Sequence, residues 1–298
     1  MAFFKALFQL KKQYFSRMNR ADKTDLRVAI LDMYEGTDNQ GMRCLRELLD
    51  QFRQNIQQPL VVNEYNVRLQ AQLPSTDYDI YLSSGGPGSP LADEDSIWEA
   101  KYFQWIEQVL AYNEHPQHVQ KKKVFFICHS FQLACRFFDI GQVTKRKSTA
   151  FGVFPVHFIQ TEQSEKVFQG MSDPFYAVDS RDYQVIQPNH DQIKSLGSQL
   201  LAIEKARPHV PYERAIMAVR FNEHMIGTQF HPEADAIGML KHLHTPEKKK
   251  TVIENYGEEK WQSMVAHLND PDKIMYTYSH IIPNFLQLAV EEMISIEA

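Results

Sequence analysis

The chain is short of several things that would place it in a special class. Three cysteines, Cys44, Cys128 and Cys135, are too few for a disulfide framework and lack C-x-x-C spacing, which fits a reducing cytoplasm and gives no structural metal site. His242 and His244 stand two apart on a predicted helix and so do not share a face. No stretch approaches the roughly 20 apolar residues that a bilayer-spanning helix needs. Positive charge is not in excess: the formal net charge is −5, which leaves no footprint for nucleic acid. No low-complexity tract or internal repeat is visible across the 298 residues, whose hydrophobic share of 43% is ordinary for a globular chain. What remains is a cytoplasmic protein that binds a small molecule or another protein, with no membrane, nucleic acid or cofactor implied.

One local absence is informative. The first twenty residues contain no Asp or Glu, and Phe3, Phe4, Leu7, Phe8, Tyr14, Phe15 and Met18 form a helical stripe opposite lysines and arginines. Lys5, Lys11 and Lys12 interrupt the apolar core that a secretory signal requires. A transit peptide or a membrane-surface helix stays open, but the expectation is a helix packed on its own protein. Residues 1–25 are therefore set apart as an N-terminal extension.

From residue 26 the pattern alternates. Leu26 to Asp32 reads as a core strand, followed by a helix with Leu45, Leu48, Leu49 and Phe52 at helical spacing. Pro59 to Val67 and Tyr78 to Leu82 read as further strands, Ser96 to Tyr112 as a helix, and Lys123 to Ile127 as a buried strand. Such alternation predicts a mostly parallel sheet covered by helices on both faces, with ligands at the carboxyl ends of the strands. Shorter strands with antiparallel pairing are expected at Gly152 to Phe158 and Phe175 to Val178, then a strand pair at Ala215 to Phe221 and Met225 to Phe230. Three helical stretches follow Pro246, with Pro283 suited to a helix first turn, so 26–245 is expected as one domain and 246–298 as a helical extension.

Three motifs sit at predicted strand ends. Cys128 ends an apolar run and opens a helix, where unpaired N–H groups and the dipole favour a thiolate; a buried cysteine acting as a small hydrophobe is the plain alternative. Gly85-Gly86-Pro87-Gly88 marks a turn, or a loop whose backbone N–H groups approach a substrate closely. In His231-Pro232-Glu233 residues two apart point the same way, so Glu233 can orient His231 toward a thiol. A cysteine, an oriented base and an amide-lined loop are the parts that thiol-based acyl transfer needs.

In order and spelling, Ser84 to Pro90, Ile127 to Gln132 and Gly227 to Glu233 resemble the three signature segments of class I glutamine amidotransferases, of the kind found in the glutaminase domain of GMP synthase. Gly152 to Val156 resembles a Gly-aromatic-Pro-Val segment of the same family, and the resemblance covers about residues 26–242. It implies a flavodoxin-like three-layer α/β sandwich that hydrolyses L-glutamine through a γ-glutamyl thioester, with ammonia passed to a separate synthetase. It also implies Cys128 as nucleophile, His231 as base and later acid, Glu233 as its orienting residue, and backbone N–H groups of Gly86 and His129 as the oxyanion hole. Gly85, Gln132, Ser180 and Asp182 would contact the substrate. The chain departs from the family where Phe126 and Ser130 replace elbow glycines and Arg181 replaces a histidine. A bulky Phe126 is expected to crowd the helix after it. Two other readings remain: a hydrolase of γ-glutamyl or other small amides with a wider pocket, and a binding module whose elbow is distorted. The apolar faces at residues 3–18 and around Phe285, Leu286, Ala289 and Met293 need cover, and a homodimer through these terminal helices is the expected way to supply it.

Overall fold

A computed structural model describes residues 25–297 except 38, 57, 95, 160–164, 208–212, 269 and 271–272. The N-terminal stripe lies outside the described residues. The elements run β1 Leu26–Asp32, α1 Gln40–Arg53, β2 Leu60–Asn66, α2 Val67–Gln70, β3 Ile80–Ser83, α3 Ile97–Glu114, β4 Lys123–Ile127, α4 His129–Phe137 and β5 Gly141–Phe158. They continue through β6 Phe175–Pro188, α5 His190–Leu196, β7 Gln199–Glu204, β8 Ile216–Asn222, β9 Met225–Thr228, α6 Ala236–Leu243, α7 Pro246–Tyr256, α8 Glu258–Leu268 and α9 Ile274–Glu297.

The strands form one sheet in the order β2-β1-β3-β4-β9-β8-β7-β5-β6. Pairing is parallel from β2 through β9 and antiparallel from β9 onward. The parallel strands are apolar because both faces are covered. Phe125 and Phe126 point to opposite sides, the first edge-on to Phe285 of α9 at 5.2 Å and the second edge-on to Phe221 at 5.7 Å. On the Phe125 face lie the apolar stripes of α1 and α9; on the Phe126 face lie Trp105 of α3 and Phe131 and Leu133 of α4. The result is a three-layer sandwich, and no helix among the described residues is long and apolar enough to cross a membrane.

Local signals set the helix starts. Asn39 accepts the N–H of Met42 at 2.7 Å to cap α1, and Ser96 accepts that of Glu99 at 3.2 Å to cap α3. Pro283 departs from expectation. It lies inside α9 and not in its first turn. Proline there removes one ladder hydrogen bond, and the buried Ile281, Ile282, Phe285 and Leu286 on either side anchor the helix across it. Each such burial contributes roughly 1.5–3 kcal/mol.

That same face of α9 answers the question of cover. Phe285, Leu286, Ala289 and Val290 are buried in the core cluster with Phe125 and Ile127. The C-terminal face offered as a dimer contact is thus covered within one chain. Helices α7 and α8 close over β5 and β6 through Val252, Met264 and Leu268 against Phe151, Val153 and Val178.

The region from 141 to 204 is larger than the sequence suggested. The expected short strands are the ends of an 18-residue β5 and a 14-residue β6. Lys145-Arg146-Lys147-Ser148-Thr149 breaks any apolar alternation, so this edge arm does not read as strand.

Candidate active site

Strand β4 delivers Cys128 into a tight turn with φ 49° and ψ −98°, the left-handed side that a non-glycine residue rarely adopts. Holding it there costs on the order of 1–3 kcal/mol, so the surroundings must fix it. The Cys128 N–H donates to Thr228 O at 2.8 Å, and the Cys128 carbonyl accepts from the Gln132 N–H at 3.0 Å. Ser130, standing where the resemblance expects glycine, accepts the Ile127 N–H at 2.8 Å and donates to Ser83 O at 2.7 Å. Its hydroxyl therefore ties the turn to β3.

Phe126 does not crowd α4. It pairs in register with Gly227 of β9, and a Cβ on Gly227 would stand 3.0 Å from the Cβ and the carbonyl oxygen of Phe126. Gly227 thus lies against the backbone of Phe126, while the Phe126 ring packs edge-on to Phe221 within the core on that face.

His231 is fixed from two sides. Its N–H donates to Val178 O of β6 at 2.8 Å, and its Nδ1 lies 2.8 Å from Glu233 Oε1. The Cys128 side chain stands close enough to act on the ring. Burial alone would lower the imidazole pKa, but the Glu233 carboxylate and the Cys128 sulfur override it and hold the ring well above its ordinary value. Glu233 is 1% exposed and its Oε2 has no hydrogen-bond partner among the described residues, so its charge acts chiefly on the ring. Thiol, imidazole and carboxylate thus stand side by side.

The glycine loop is shaped by close approach. A Cβ at Gly86 would stand 2.4 Å from Met33 O, and one at Gly85 would stand 2.8 Å from Cε1 of His231. Gly86 and His129 both line a cavity of about 390 Å³, together with Cys128, Gln132, Ser180, Asp182, His231 and Glu233. Gly85 lies behind the His231 ring and is not part of that wall. As first residue of α4, His129 carries an N–H without an intrahelical acceptor. Its imidazole is buried, which together with the Arg68 and Arg136 guanidinium groups pulls its pKa down to about 3 and keeps the ring neutral.

Some expected substrate contacts are differently employed. The Gln132 amide donates to Gln229 Oε1 at 3.0 Å, and the Gln229 amide in turn reaches Cys128 Sγ at 3.8 Å. The Ser180 carbonyl lies 3.7 Å from Cys128 Sγ, and Asp182 is exposed and accepts from the Thr149 hydroxyl. Arg181 also lines the cavity, but its guanidinium turns to the Asp179 side of β6, where its Nε meets both oxygens of Asp179 at 2.8 and 3.0 Å. Strand alternation separates the two sets.

Two residues escaped the sequence reading. Gln229 sits within a quoted motif, two before His231, and that neighbourhood was its only signal. Tyr34 lines the cavity two residues past the end of β1, and burial followed by the Glu233 and Cys128 charges lifts its phenol pKa well above normal. Cys44 also lines the cavity, but burial, with the nearby Asp235 and Glu233 charges, pushes its thiol up to about 12, and burial raises Cys135 as well. Neither is suited to act as a thiolate.

Comparison with known proteins bears on the family and the fold. The profile of the family described as glutamine amidotransferase class-I matches residues 44–243. No curated protein matches the chain by sequence. Among solved structures, a glutamine amidotransferase from Thermotoga maritima superposes with a TM-score of 0.64 at 15% identity, covering 90% of this chain and 100% of that one. A glutamine amido transferase from Methylobacillus flagellatus gives 0.54 at 14% identity, with 89% and 95% covered. The glutaminase domain of Trypanosoma brucei CTPS, with bound acivicin, gives 0.52 at 12% identity, with 89% and 94% covered. At these identities the likeness is one of fold.

Proposed function

The chain belongs to the class I glutamine amidotransferase family, and from that premise we propose that it hydrolyses the side-chain amide of L-glutamine and supplies ammonia to an acceptor activity on a separate polypeptide. The observation that carries this reading is Cys128 at the head of α4 beside a His231 ring that buried Glu233 holds at 2.8 Å. The Cys128 thiolate adds to the amide carbon, and the N–H groups of Gly86 and His129 receive the developing oxyanion. His231, as imidazolium, protonates the leaving nitrogen; ammonia departs and a γ-glutamyl thioester remains on Cys128. Neutral His231 then takes a proton from water, the hydroxide adds to the thioester, and collapse releases glutamate and restores the thiolate. Glu233 keeps the ring oriented and stabilises its charged form. Ser180 and Asp182 are assigned to the amino-acid end of the substrate, while Gln132 and Gln229 steady the sulfur from behind.

The test is ammonia release from glutamine by the purified chain, compared with Cys128→Ala. Activity that vanishes in the variant supports the mechanism; activity that survives removes it. A second reading has one observation in its favour: the cavity extends past the sulfur to Asn39, Gln40 and Gly41 at the start of α1, and to Met239. Its volume of about 390 Å³ is in the range of small-molecule sites and admits γ-glutamyl amides with a substituted nitrogen. Faster turnover of γ-glutamyl-p-nitroanilide than of glutamine would favour that hydrolase.

A further inference from the structure

The glycine loop after β3 has to aim a backbone N–H, yet it carries little of its own to hold it still. Gly85, Gly86 and Gly88 have no side chains, and Gly88 sits at φ +86°. Glycine has the most backbone freedom to lose, so a fixed direction at Gly86 must be imposed by residues around it. The Gly86 N–H donates to no acceptor among the described residues, and Gly86 lines the cavity beside Cys128.

Two buried side chains impose that direction. Ser84, 1% exposed, donates from its hydroxyl to the Gly85 carbonyl at 2.9 Å while accepting the Met33 N–H at 3.0 Å. The C=O and N–H of one trans peptide point in opposite directions, so holding the Gly85 oxygen fixes where the Gly86 N–H points. Arg68 of α2 takes the other end. Its Nη1 donates to Pro87 O at 2.5 Å and to Met33 O at 3.4 Å, and Met33 O is the atom that a Cβ on Gly86 would approach to 2.4 Å. The guanidinium therefore spans the end of β1 and the residue that follows Gly86.

The rest of the Arg68 side chain is anchored away from the cavity. Nη2 meets Glu35 Oε1 at 2.7 Å and Asp93 Oδ2 at 3.2 Å, the group lies 5.4 Å from the Trp98 ring centre, and only 4% of the side chain is exposed. Nε alone has no partner among the described residues. Two carbonyls and two carboxylates are thus served by one fork of N–H groups, which an ammonium with three donors cannot match. The Arg68 charge also reaches the His129 ring, so the residue lies near both members of the oxyanion hole, yet it does not itself line the cavity.

We propose that Arg68 is a positioning residue for amide hydrolysis: by holding Pro87 O and Met33 O it keeps the loop turned so that the Gly86 N–H faces the oxygen of the tetrahedral intermediate. Ser84 is its counterpart on the other side of Gly86. The inference rests on the glutaminase reading.

The experiment compares the unmodified chain with Arg68→Lys and Arg68→Met in two reactions. One is ammonia release from glutamine; the other is alkylation of Cys128 by iodoacetamide, followed by mass spectrometry, in which sulfur displaces iodide and no charge builds on a carbonyl oxygen. In Arg68→Lys, which keeps the charge, kcat should fall roughly tenfold or more, KM should stay within about threefold and alkylation within about twofold of the unmodified chain. Arg68→Met should lose more kcat with the same split, and circular dichroism melts verify that each variant folds. Should Arg68→Met not fold, Arg68→Lys decides. An unchanged kcat in Arg68→Lys, a loss that appears wholly in KM, or alkylation that slows in step with kcat would each overturn the inference, the last because it marks a general disturbance of the turn at Cys128. An unmodified chain that releases no ammonia contradicts the glutaminase reading and takes the inference with it, whereas an active chain with an indifferent Arg68→Lys sinks the inference alone.

Discussion

The two halves of the sheet solve opposite problems. In the parallel half, β4 and its neighbours are buried on both faces and hold no charged residue between Val124 and Ile127. In the antiparallel half, β5, β6 and β7 carry Arg146, Asp179, Arg181 and Glu204 inward as a closed ionic cluster. The first half owes its order to apolar packing, which is tolerant of partners but not of volume; the second depends on matched charges, which tolerate no deletion. Cys128 belongs to the first, and the strand whose Ser180 carbonyl lies 3.7 Å from its sulfur belongs to the second. Precision at the site therefore draws on both.

The largest expected effect tests where the two halves meet. Glu233→Gln keeps the shape but removes the charge behind His231, and kcat for glutamine hydrolysis should fall by roughly 10²–10⁴ while KM changes little. Steady-state kinetics decides it, and an unchanged kcat would remove Glu233 from the mechanism. Next, Arg181→Met leaves Asp179 buried without its partner and should destabilise the fold by about 3–5 kcal/mol in urea unfolding. A loss below 1 kcal/mol would mean that the antiparallel half does not depend on its charges.

A smaller effect belongs to the parallel half and depends on pH. The folded pKa of His129 is depressed to about 3, so as pH falls below the ordinary value near 6.5 the unfolded chain takes up a proton that the folded chain refuses. Stability is therefore lost on acidification, by about 2 kcal/mol between pH 7 and pH 5 from this group alone. The unfolding free energy of His129→Asn should fall less over that interval by the same amount, and parallel pH profiles would refute the assignment. Smallest is Ser130→Gly, which restores the residue that the family resemblance expects. It forfeits the bonds to Ile127 and Ser83 and should cost about 1–2 kcal/mol with the turn retained.

Legibility in the sequence followed the same division. Strands β1, β3, β4 and β9 were readable because burial on both faces demands continuous apolar runs, and the three motifs at their ends led to Cys128, Gly86 and His231. The edge arm was not, because Lys145 to Thr149 is selected by solvent and by ion pairing across strands, neither of which leaves a period along the chain. Helix α9 was readable as a stripe, but what it covers was not, since a stripe records burial and not the partner. Tyr34 reaches the cavity, and Gln229 the Cys128 sulfur, through folding alone.

The pairing of Phe126 with Gly227 has a bearing on how such a chain can drift. A Cβ at 227 would meet the Cβ and the carbonyl oxygen of Phe126 and the ring of Phe131, each at 3.0 Å. Two of those three neighbours stay whatever residue stands at 126, so the backbone of β4 and the ring on α4 hold the glycine on β9 in place. In a mutational scan Gly227→Ala should be harmful beside glycine at 126 as well as beside Phe126, and the coupling should run instead to position 131.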